Sequence, residues 1–547
     1  MYQTQKLQIR LEWELQDTCD KKMNKSIILC TLMAAAGISY TDYGTEDEVK
    51  IEVEEKVETD EKDAETKEET EIITPKLISL SLFMRDNPVQ LISDVKGNII
   101  GDSIVECWVP NIMNDKQLIA NFEYTGSQIS IDSIPITSGI SSFDFRKPVT
   151  LTVSSGDIFK DYTVYVHSFT GLPVLWIETE GRADVTSKET YLNASLKLIE
   201  DVKTRAAGDI TKEAITIRGR GNTTWSMPKK PYQIKFNEKT SLIDEPADKT
   251  WVLLANYSDK TMVRVSTAFY MGQISNLDYT PRSHFVELIL NGQYNGTYLL
   301  CEKPKIAKHR VNVGDDGFLL EVDAKAASDD ITFKVLHLSQ PVNIKDPDVK
   351  IGDENYTYIS KHIEMIDSVL YSPDFTDEDT GWQKYMDMDS FVDWYLINEI
   401  AKNNDAVLYS SCYMNLKRGG KLKMGPLWDF DIAFGNINYN DNFVPEGFWI
   451  KNASWFSRLF KDPAFVAKVK ERFDFFYSHR NDIMRDINEN AEYLRYAVQE
   501  NENKWHTLYN YTWPNYNIWG NHQNEIQSMK EWLNTRFEWL KVEFEKM

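Results

Sequence analysis

The sequence lacks the residue spacings that mark common metal and disulfide sites. None of its five cysteines forms a Cys-x-x-Cys pair, and none of its eight histidines forms a His-Glu-x-x-His motif. Neither a zinc site nor a disulfide framework is therefore indicated. Positive charge is also scarce, because 61 Lys and Arg stand against 84 Asp and Glu and leave a net charge of −23. Nucleic acids and anionic membranes bind basic surfaces, so the composition argues against both as partners.

A long apolar segment is missing as well, because the run at residues 27–38 is too short to span a bilayer. Three lysines precede this run, and small residues lie within it. That order is typical of a secretory signal peptide, and a buried helix is the alternative. The sequence predicts a signal near residues 23–40 with Met23 as the true start, so that residues 1–43 comprise a gene-model extension and the signal. We expect a secreted or cell-envelope protein with no other transmembrane helix.

Residues 44–75 form an acidic segment of low complexity. Between residues 46 and 71 there are 14 acidic residues and 4 lysines. A segment of this composition repels itself and cannot bury a core. It predicts a disordered linker that holds the folded parts of the chain away from an envelope.

Residues 76–170 alternate polar and apolar positions in short runs such as LISLSLF and VTLTVSS, with Gly, Asn, Asp and Pro between them. The pattern predicts an all-β module, and a sandwich of immunoglobulin type fits it. The stretch SGISSFDFRKPVTLTVSSGDIFKDYTVYV also resembles small Ig-like modules of secreted Bacteroidetes proteins. We expect a spacer or adhesion module, since the stretch carries no catalytic constellation.

Residues 171–547 divide into a strand-rich part and a helical part. Strand-like runs dominate up to about Val322, and ILNGQYNGTYLL predicts a hairpin with an Asn-Gly turn. Beyond about Tyr356, apolar residues recur at helical spacing, and one such set is Phe465, Val469, Phe473 and Phe476. This order predicts a multidomain chain whose second domain is α+β, with a cleft between a β-rich lobe and a helical lobe.

The segment IRGRGNTTWSMPKKPYQIKF, residues 217–236, combines glycines with basic residues. Glycine lets a backbone approach a phosphate closely, and arginine and lysine supply positive charge. Arg218, Arg220 and Asn222 are therefore candidates for a phosphate-side loop. Lys235 lies in an apparent strand, from which a lysine can project into a nucleotide cleft. A basic hairpin with ordinary surface charges is the alternative interpretation of the same residues.

Two acidic segments supply candidates for catalysis and metal binding. Asp405 follows a predicted helix in INEIAKNNDAVLYSSCYMNL, where it can accept a proton from a hydroxyl nucleophile or simply form a turn. In GPLWDFDIAFGN, Asp429 and Asp431 lie in an apolar run, where an unpaired charge is costly. Mg²⁺ needs one or two carboxylates besides phosphate oxygens. Asp429 is therefore a candidate ligand, and Asp431 is either a second ligand or an anchor bonded to backbone amides.

The order of these parts is that of protein-kinase-like phosphoryl transferases, although the usual Gly-x-Gly-x-x-Gly, His-Arg-Asp and Asp-Phe-Gly signatures are absent in standard form. From about Leu172 to the C-terminus, the chain resembles the spore-coat protein H (CotH) kinase family. The resemblance rests on five motifs in the same order, namely IRGRGNTTWSMPKKPYQIKF, WVLLANYSDKTMVRVSTAFYM, LNGQYNGTYLLCEKPKI, GFLLEVD and GPLWDFDIAFGN. It implies an atypical protein kinase that binds ATP with Mg²⁺ and phosphorylates hydroxyl side chains of proteins.

The resemblance also implies roles for individual residues. Asp405 resembles the catalytic aspartate and Asp429 the metal-binding one. Lys235 is the first choice for the phosphate-contacting lysine, with Lys229 and Lys230 as rivals. Arg218, Arg220 and Asn222 resemble the phosphate-side loop. Glu302 resembles a glutamate that the family has on a strand, and Asn415 is a candidate for a second metal contact.

Two functions are consistent with these residues. The first is a secreted atypical protein kinase that uses ATP with Mg²⁺ or Mn²⁺ and acts on a protein substrate. The second is a catalytically degenerate relative that binds a glycan or a cell-surface receptor. The segment YNYTWPNYNIWGNH, residues 509–522, has the aromatic side chains that stack on sugars, although packing against the domain is the stronger expectation.

Overall fold

A computed structural model of the chain describes residues 74–88, 90–91, 94–110, 116–199 and 212–547. All of them belong to one unit of the chain, which runs from Ile72 to Met547. The predicted signal peptide and nearly all of the predicted acidic linker lie outside the described residues. None of the described helices is both long and apolar enough to cross a membrane.

Where the structure describes the first module, its regular elements are all strands, as the alternating pattern predicts. Its strands are β1 (Lys76–Leu82), β2 (Val95–Lys96), β3 (Asn98–Ile100), β4 (Ile104–Pro110), β5 (Gln117–Ile119), β6 (Asn121–Thr125), β7 (Gln128–Ile131), β8 (Ile134–Pro135), β9 (Ser142–Asp144), β10 (Val149–Ser155) and β11 (Ile158–Phe169). They form sheets of order β2-β1-β6, β3-β4-β11-β10-β7-β8 and β5-β9. Alternate residues such as Val105, Leu151 and Val164 are fully buried in a shared core. The immunoglobulin-type assignment stays a prediction.

A closed seven-stranded barrel follows the first module. Its strands, in chain order, are β12 (Val174–Thr179), β13 (Leu192–Ile199), β14 (Lys212–Gly219), β15 (Tyr232–Thr240), β16 (Asp248–Leu254), β17 (Ser283–Leu290) and β18 (Gln293–Glu302). The barrel closes because β12 pairs with β13 on one side and in parallel with β17 on the other. Its interior is filled by alternate residues of the strands, among them Ile177, Ile217 and Ile234.

The predicted hairpin is confirmed by the pairing of β17 with β18. Leu290 and Gln293 are opposite each other, so Asn291 and Gly292 form the two-residue turn between the strands. Both turn residues have positive φ, 53° and 78° respectively. Asn-Gly is suited to this turn because both residues adopt left-handed backbone angles at low cost.

A second sheet and most of the helices complete the fold. The sheet has the order β20-β21-β19-β22-β23, with strands β19 (Phe318–Val322), β20 (Thr332–Phe333), β21 (Val342–Asp346), β22 (Cys412–Leu416) and β23 (Leu422–Met424). The helices are α1 (Thr223–Ser226), α2 (Arg264–Gln273), α3 (Glu354–Leu370), α4 (Met388–Ala401), α5 (Ser454–Leu459), α6 (Pro463–Ser478), α7 (Arg480–Tyr493), α8 (Arg495–Trp505) and α9 (His522–Glu545). Strand-rich sequence thus precedes helical sequence, as predicted.

Helix α4 passes through the centre of the helical part. Every residue from Ser390 to Ala401 is buried, so this helix is covered on all sides rather than on one face. Helix α6 instead buries the predicted stripe, namely Phe465, Val469, Phe473 and Phe476. Because α4 is fixed by packing all around, the segment that leaves its C-terminal end is held firmly.

Candidate functional site

A cavity of about 730 Å³ lies where the end of β14, the end of β19 and the segments after α4 meet. Its walls come from eight segments of the chain. The lining residues include Arg220–Thr224, Met227, Glu321, Asp323, Lys325, Asp330, Lys345, Asn404, Asp405, Val407, Tyr409, Ser410, Ser411, Trp428, Asp429, Asp431, Tyr439, Asn440, Trp449, Trp513 and Pro514. The structure therefore brings together the three motifs that the sequence singles out.

Asp405 is positioned by the end of α4. The chain leaves this helix through Lys402, which has a left-handed φ of 46°, and then makes a short 3₁₀ turn over Asn404–Ala406. The Asn404 side-chain amide donates to one carboxylate oxygen of Asp405 at 2.7 Å. The Lys325 ammonium donates to the other at 3.1 Å. The carboxylate is therefore oriented at both oxygens while it lines the cavity.

Asp429 lies opposite in the same cavity, and its backbone is unusual. Its φ of 67° is in the left-handed region, which non-glycine residues adopt at a cost and which is concentrated at functional sites. The Asn403 amide donates to the backbone carbonyl of Asp429 at 3.2 Å, which ties this segment to the end of α4. The Ser411 hydroxyl donates to its carboxylate at 3.2 Å. The side chain itself faces the cavity, so part of its surface is exposed there although protein atoms surround the carboxylate on its other sides.

Asp431 points into the same region from two residues further on. The Ser258 hydroxyl donates to its carboxylate at 2.9 Å, and the Asn436 amide donates to its backbone carbonyl at 2.8 Å. Burial, followed by the nearby Asp429 carboxylate, raises the pKa of Asp431 to about 7. The carboxylate accepts hydrogen bonds from the Ser258 hydroxyl and from the backbone amide of Asp431 itself, so the choice between a second metal ligand and an anchor stays a prediction.

The Asp429 carboxylate lacks compensating charge. Its pKa is raised, first because protein atoms surround the group and second because the Asp405 carboxylate is close, while Arg220 and Lys325 act in the opposite direction. A bound cation would relieve this repulsion. The ligands on offer are carboxylate oxygens, which Mg²⁺ prefers, so the residues fit a magnesium ion.

Protein ligands alone do not form a metal cage in this region. Among the described residues, no group of three or more His, Cys, Asp or Glu side chains is arranged to hold a metal ion. A magnesium ion that accompanies a nucleotide needs only one or two carboxylates, because phosphate oxygens and water complete its shell. Asp429 and Asp431 would be sufficient for that arrangement.

The glycine-rich motif forms one rim of the cavity. Arg220 extends past the end of β14, and its guanidinium lies 5.5 Å from the centre of the Trp428 ring. Gly221 lines the cavity with a φ of 85°, which a residue with a side chain would adopt only under strain. Gly219 has a different role, since a Cβ atom there would lie 2.2 Å from the Trp225 ring. Asn222, whose side chain is exposed, also lines the rim.

Four predicted residues do not reach this cavity. Arg218 stays on β14, where its guanidinium lies over the Tyr191 ring at 4.7 Å. Lys235 is exposed on the outside of the barrel, because Ile234 and Phe236 on either side of it point inward. A strand alternates its faces, so these neighbours exclude Lys235 from the same side.

The other two residues of that set serve other parts of the fold. Glu302 is buried in an ion-pair cluster with Arg282 at 2.6 Å and Arg310 at 3.5 Å. Asn415 donates to the Gly425 carbonyl and lines a separate cavity of about 330 Å³. Its side chain is therefore directed away from Asp429, and a second metal contact from Asn415 does not fit the structure.

The two rival lysines are also engaged elsewhere. Lys229 is buried, and its ammonium donates to the Asn501 amide oxygen at 2.8 Å and to the Thr297 carbonyl. Burial lowers the pKa of Lys229 to about 7. Lys230 donates to the Trp225 carbonyl at 2.8 Å. Both ammonium groups therefore hold the backbone around the glycine-rich motif.

Two lysines line the cavity, and the sequence interpretation gave neither of them a role: Lys325 follows GFLLEVD, and Lys345 lies on β21. Lys325 pairs with Asp405, and Lys345 pairs with Glu321 at 3.4 Å. Burial lowers the pKa of Lys325, but Asp405 and Asp429 outweigh this effect and raise the pKa overall. The sequence signal in this region belongs to the carboxylates, because Glu321 and Asp323 are two residues apart at the end of a strand and so share a face.

The charge of the cavity is predominantly negative. Six carboxylates face three cationic side chains, which are Arg220, Lys325 and Lys345. A polyphosphate would therefore meet net repulsion unless cations entered with it. The lining itself thus requires divalent cations if it is to hold a nucleotide.

A narrow recess adjoins the cavity beside Trp428. It has a volume of about 40 Å³, and its walls combine apolar residues such as Leu254 and Val265 with charged ones that include Arg220, Asp429 and Asp431. The recess therefore places apolar side chains directly beside the charged part of the site.

Comparisons with known proteins give one clear result. A family model described as CotH kinase protein matches residues 217–540, which is more than half of the chain. No curated protein matches the chain. A solved structure from Bacteroides thetaiotaomicron, provisionally assigned as a glycoside hydrolase, is 17% identical over 32% of this chain and 61% of that chain. This chain thus spans less than two thirds of that protein, and the TM-score of 0.15 is too low for the similarity to indicate a shared fold or function.

Proposed function

The chain belongs to the CotH kinase family, and on that premise we propose that it transfers the γ-phosphoryl group of ATP to a hydroxyl group of a protein. The observation that carries the proposal is the meeting of Asp405 and Asp429 in one cavity. They are joined through Asn403, whose amide bonds to the Asp429 backbone immediately after α4. Phosphoryl transferases need a residue that orients the hydroxyl and a carboxylate that holds a metal at the phosphates.

Each residue of the cavity has a role in this proposal. Asp405 accepts a hydrogen bond from the attacking hydroxyl and takes its proton. Lys325 holds Asp405 in position and, together with Arg220, neutralises charge on the transferred phosphoryl group. Asp429 would hold Mg²⁺ with Asp431 beside it, and the ion would withdraw negative charge from the phosphate oxygens.

The proposal extends to the place of action. The predicted signal peptide supports export, so we propose a secreted or envelope-associated kinase. ATP must then reach the protein outside the cytoplasm.

We expect ATP to stabilise the full-length protein only when Mg²⁺ is present. Because the cavity has an excess of carboxylates, ATP alone meets repulsion, whereas ATP with Mg²⁺ stabilises the folded state by mass action. Thermal unfolding with ATP, with Mg²⁺ and with both measures this dependence. Equal midpoints under all conditions would contradict nucleotide binding and favour the alternative of a degenerate surface protein.

Replacement of Lys325 by methionine should lower kcat/KM for ATP by about 10- to 100-fold, since a hydrogen bond to a charged group is worth about 1.5–3 kcal/mol. Lys235→Met is the matched control, because Lys235 is exposed on the outer face of β15. Steady-state kinetics with labelled ATP measure both variants. If Lys235→Met lowered kcat/KM and Lys325→Met did not, Lys235 would be the phosphate-contacting lysine and the placement described here would be wrong.

A further inference from the structure

A loop beside the cavity exposes an unusual number of aromatic side chains. We call residues 509–519 the aromatic loop. Five aromatic residues within these eleven positions are 43–69% exposed, namely Tyr509, Tyr511, Trp513, Tyr516 and Trp519. Burying such side chains normally contributes stability, and clustered exposed apolar surface marks interaction sites. The prediction that this segment packs against the domain therefore describes only part of it.

The backbone of the aromatic loop is held in place by hydrogen bonds to other segments of the chain. Asn515 is fully buried, and its amide donates to the Ser258 carbonyl at 2.7 Å and to the Asn436 amide oxygen at 2.8 Å. The Lys260 ammonium donates to the Asn510 carbonyl at 2.8 Å. Pro514 is buried as well. A rigid loop that presents aromatic rings loses little entropy when it binds a partner.

The aromatic loop is continuous with the catalytic cavity. Trp513 lines the cavity and stacks on Tyr439, with ring centres 5.9 Å apart and planes 13° apart. The neighbouring Asn440 donates its amide to the Asn404 side chain at 2.9 Å, and Asn404 in turn donates to Asp405. A molecule lying on these rings would therefore extend to Asp405.

The lack of charged residues on the aromatic loop favours some classes of ligand over others. Residues 507–521 contain no Asp, Glu, Lys or Arg, although such residues make up 27% of the chain. Strands of nucleic acid bind to stacking platforms that also have a basic groove, which is missing here. The aromatic rings are accompanied instead by exposed asparagines, which are Asn438, Asn440, Asn510 and Asn517.

Asparagine amides both donate and accept hydrogen bonds, as sugar hydroxyls do, whereas a proline-rich peptide offers mainly acceptors. The flat faces of tyrosine and tryptophan fit the apolar C–H faces of sugar rings. Aromatic rings combined with amides on an uncharged surface therefore favour an uncharged carbohydrate over a proline-rich or charged ligand.

We propose that the aromatic loop binds an uncharged carbohydrate chain and presents one of its hydroxyl groups to Asp405 as the phosphoryl acceptor. The inference rests on the proposed kinase function and changes its acceptor from a protein side chain to a sugar. In this step, the sugar oxygen forms a bond to the γ-phosphorus of ATP, and the bond between that phosphorus and the bridging oxygen breaks. ADP leaves, and the hydroxyl proton passes to Asp405.

The binding part is tested on the full chain by native affinity electrophoresis. The gels contain neutral arabinoxylan, β-glucan, galactomannan, dextran or, for comparison, poly-L-proline. We expect at least one polysaccharide to retard the wild-type protein and the Trp513→Ala/Tyr516→Ala variant to bind at least about tenfold more weakly. Tyr493→Ala is the matched control, since this tyrosine is 47% exposed on α7 outside the loop. Thermal unfolding checks that each variant is folded.

Three binding results would overturn the proposal. They are no retardation by any polysaccharide, equal retardation of the wild-type and loop variants, and retardation by poly-L-proline alone.

The transfer part uses γ-labelled ATP with Mg²⁺ and the polysaccharide that causes retardation. Label on that polysaccharide, absent with Asp405→Asn, supports the proposal. Label on protein alone overturns the sugar as acceptor but leaves the kinase function standing. If the polysaccharide is bound but nothing is labelled, both the kinase function and the sugar-acceptor step are contradicted. Carbohydrate binding by the aromatic loop is then still supported by the electrophoresis.

Discussion

Replacement of Asp429 by asparagine is expected to lower the rate of phosphate transfer by about 100-fold or more. The change removes one negative charge and one metal-ligand oxygen while keeping the shape of the side chain. Charge stabilisation by a metal ion is worth several kcal/mol, and each 1.36 kcal/mol corresponds to about a tenfold change in rate. The same variant should lose the stabilisation by ATP with Mg²⁺ in thermal unfolding.

Two comparisons sharpen this prediction. Asp315→Asn makes the same chemical change at an exposed position outside the cavity and should leave transfer unchanged. Asp431→Asn distinguishes the two roles considered for Asp431. Loss of a metal ligand would lower the rate of phosphate transfer, whereas loss of an anchor to Ser258 would lower the unfolding midpoint. A folded Asp429→Asn variant with near wild-type transfer would remove Asp429 from the site.

Replacement of Arg536 by methionine is expected to lower the free energy of unfolding by about 3–5 kcal/mol. Both Arg536 and its partner Glu399 are 0% exposed, and their charged groups lie 2.7 Å apart. The arginine also donates to the Pro445 and Gly447 carbonyls, each at 2.7 Å. The substitution would leave the Glu399 carboxylate buried without a counter-charge, and this is the costly outcome for a buried ion pair.

Chemical denaturation followed by tryptophan fluorescence measures this effect. The matched control is Arg485→Met, which removes an arginine whose side chain is 61% exposed and which pairs with Asp482 at 2.8 Å. A surface ion pair of this kind contributes about 0–1 kcal/mol, so the control should unfold almost like the wild type. Equal stability of the two variants would show that the Glu399–Arg536 pair is not required for the helical part.

Local patterns in the sequence predict local structure well. The stripe on α6 is a single face of one helix, and its start is signalled by Asp462 and Pro463, with Asp462 accepting from a backbone amide. The β17–β18 turn is equally local, since Asn291 and Gly292 alone determine it. Both predictions are confirmed because the interactions that decide them lie within a few residues.

The closed barrel could not be predicted in the same way. Its closure depends on the parallel pairing of Val174 with Glu287, residues that are 113 positions apart in sequence. No local pattern specifies which distant strand is a neighbour. The position of Lys235 could have been predicted from the sequence, however, because the inward Ile234 and Phe236 place it on the opposite face of the strand.

The candidate site was predicted in part. Asp429 was identified because a carboxylate is unusual in an apolar run, and Asp405 because it follows a helix and resembles the catalytic aspartate of the family; the structure brings both into one cavity. Lys325 and Lys345 were missed because a lysine on a strand or just after one is ordinary in sequence and acquires meaning only from its neighbours. The aromatic loop was noticed, but exposure of its rings depends on contacts of Asn515 and Lys260 with distant segments.

The central claim is that this cavity transfers phosphate from ATP, and the most direct measurement is the incorporation of label from γ-labelled ATP by the full chain. With Mg²⁺ present, we expect labelled hydroxyl groups to accumulate with time. We expect no label when the metal is chelated or when Asp405 is replaced by asparagine. Incorporation that is unchanged in the Asp405→Asn variant, or absent from a folded wild-type protein supplied with Mg²⁺ or Mn²⁺, would contradict the account.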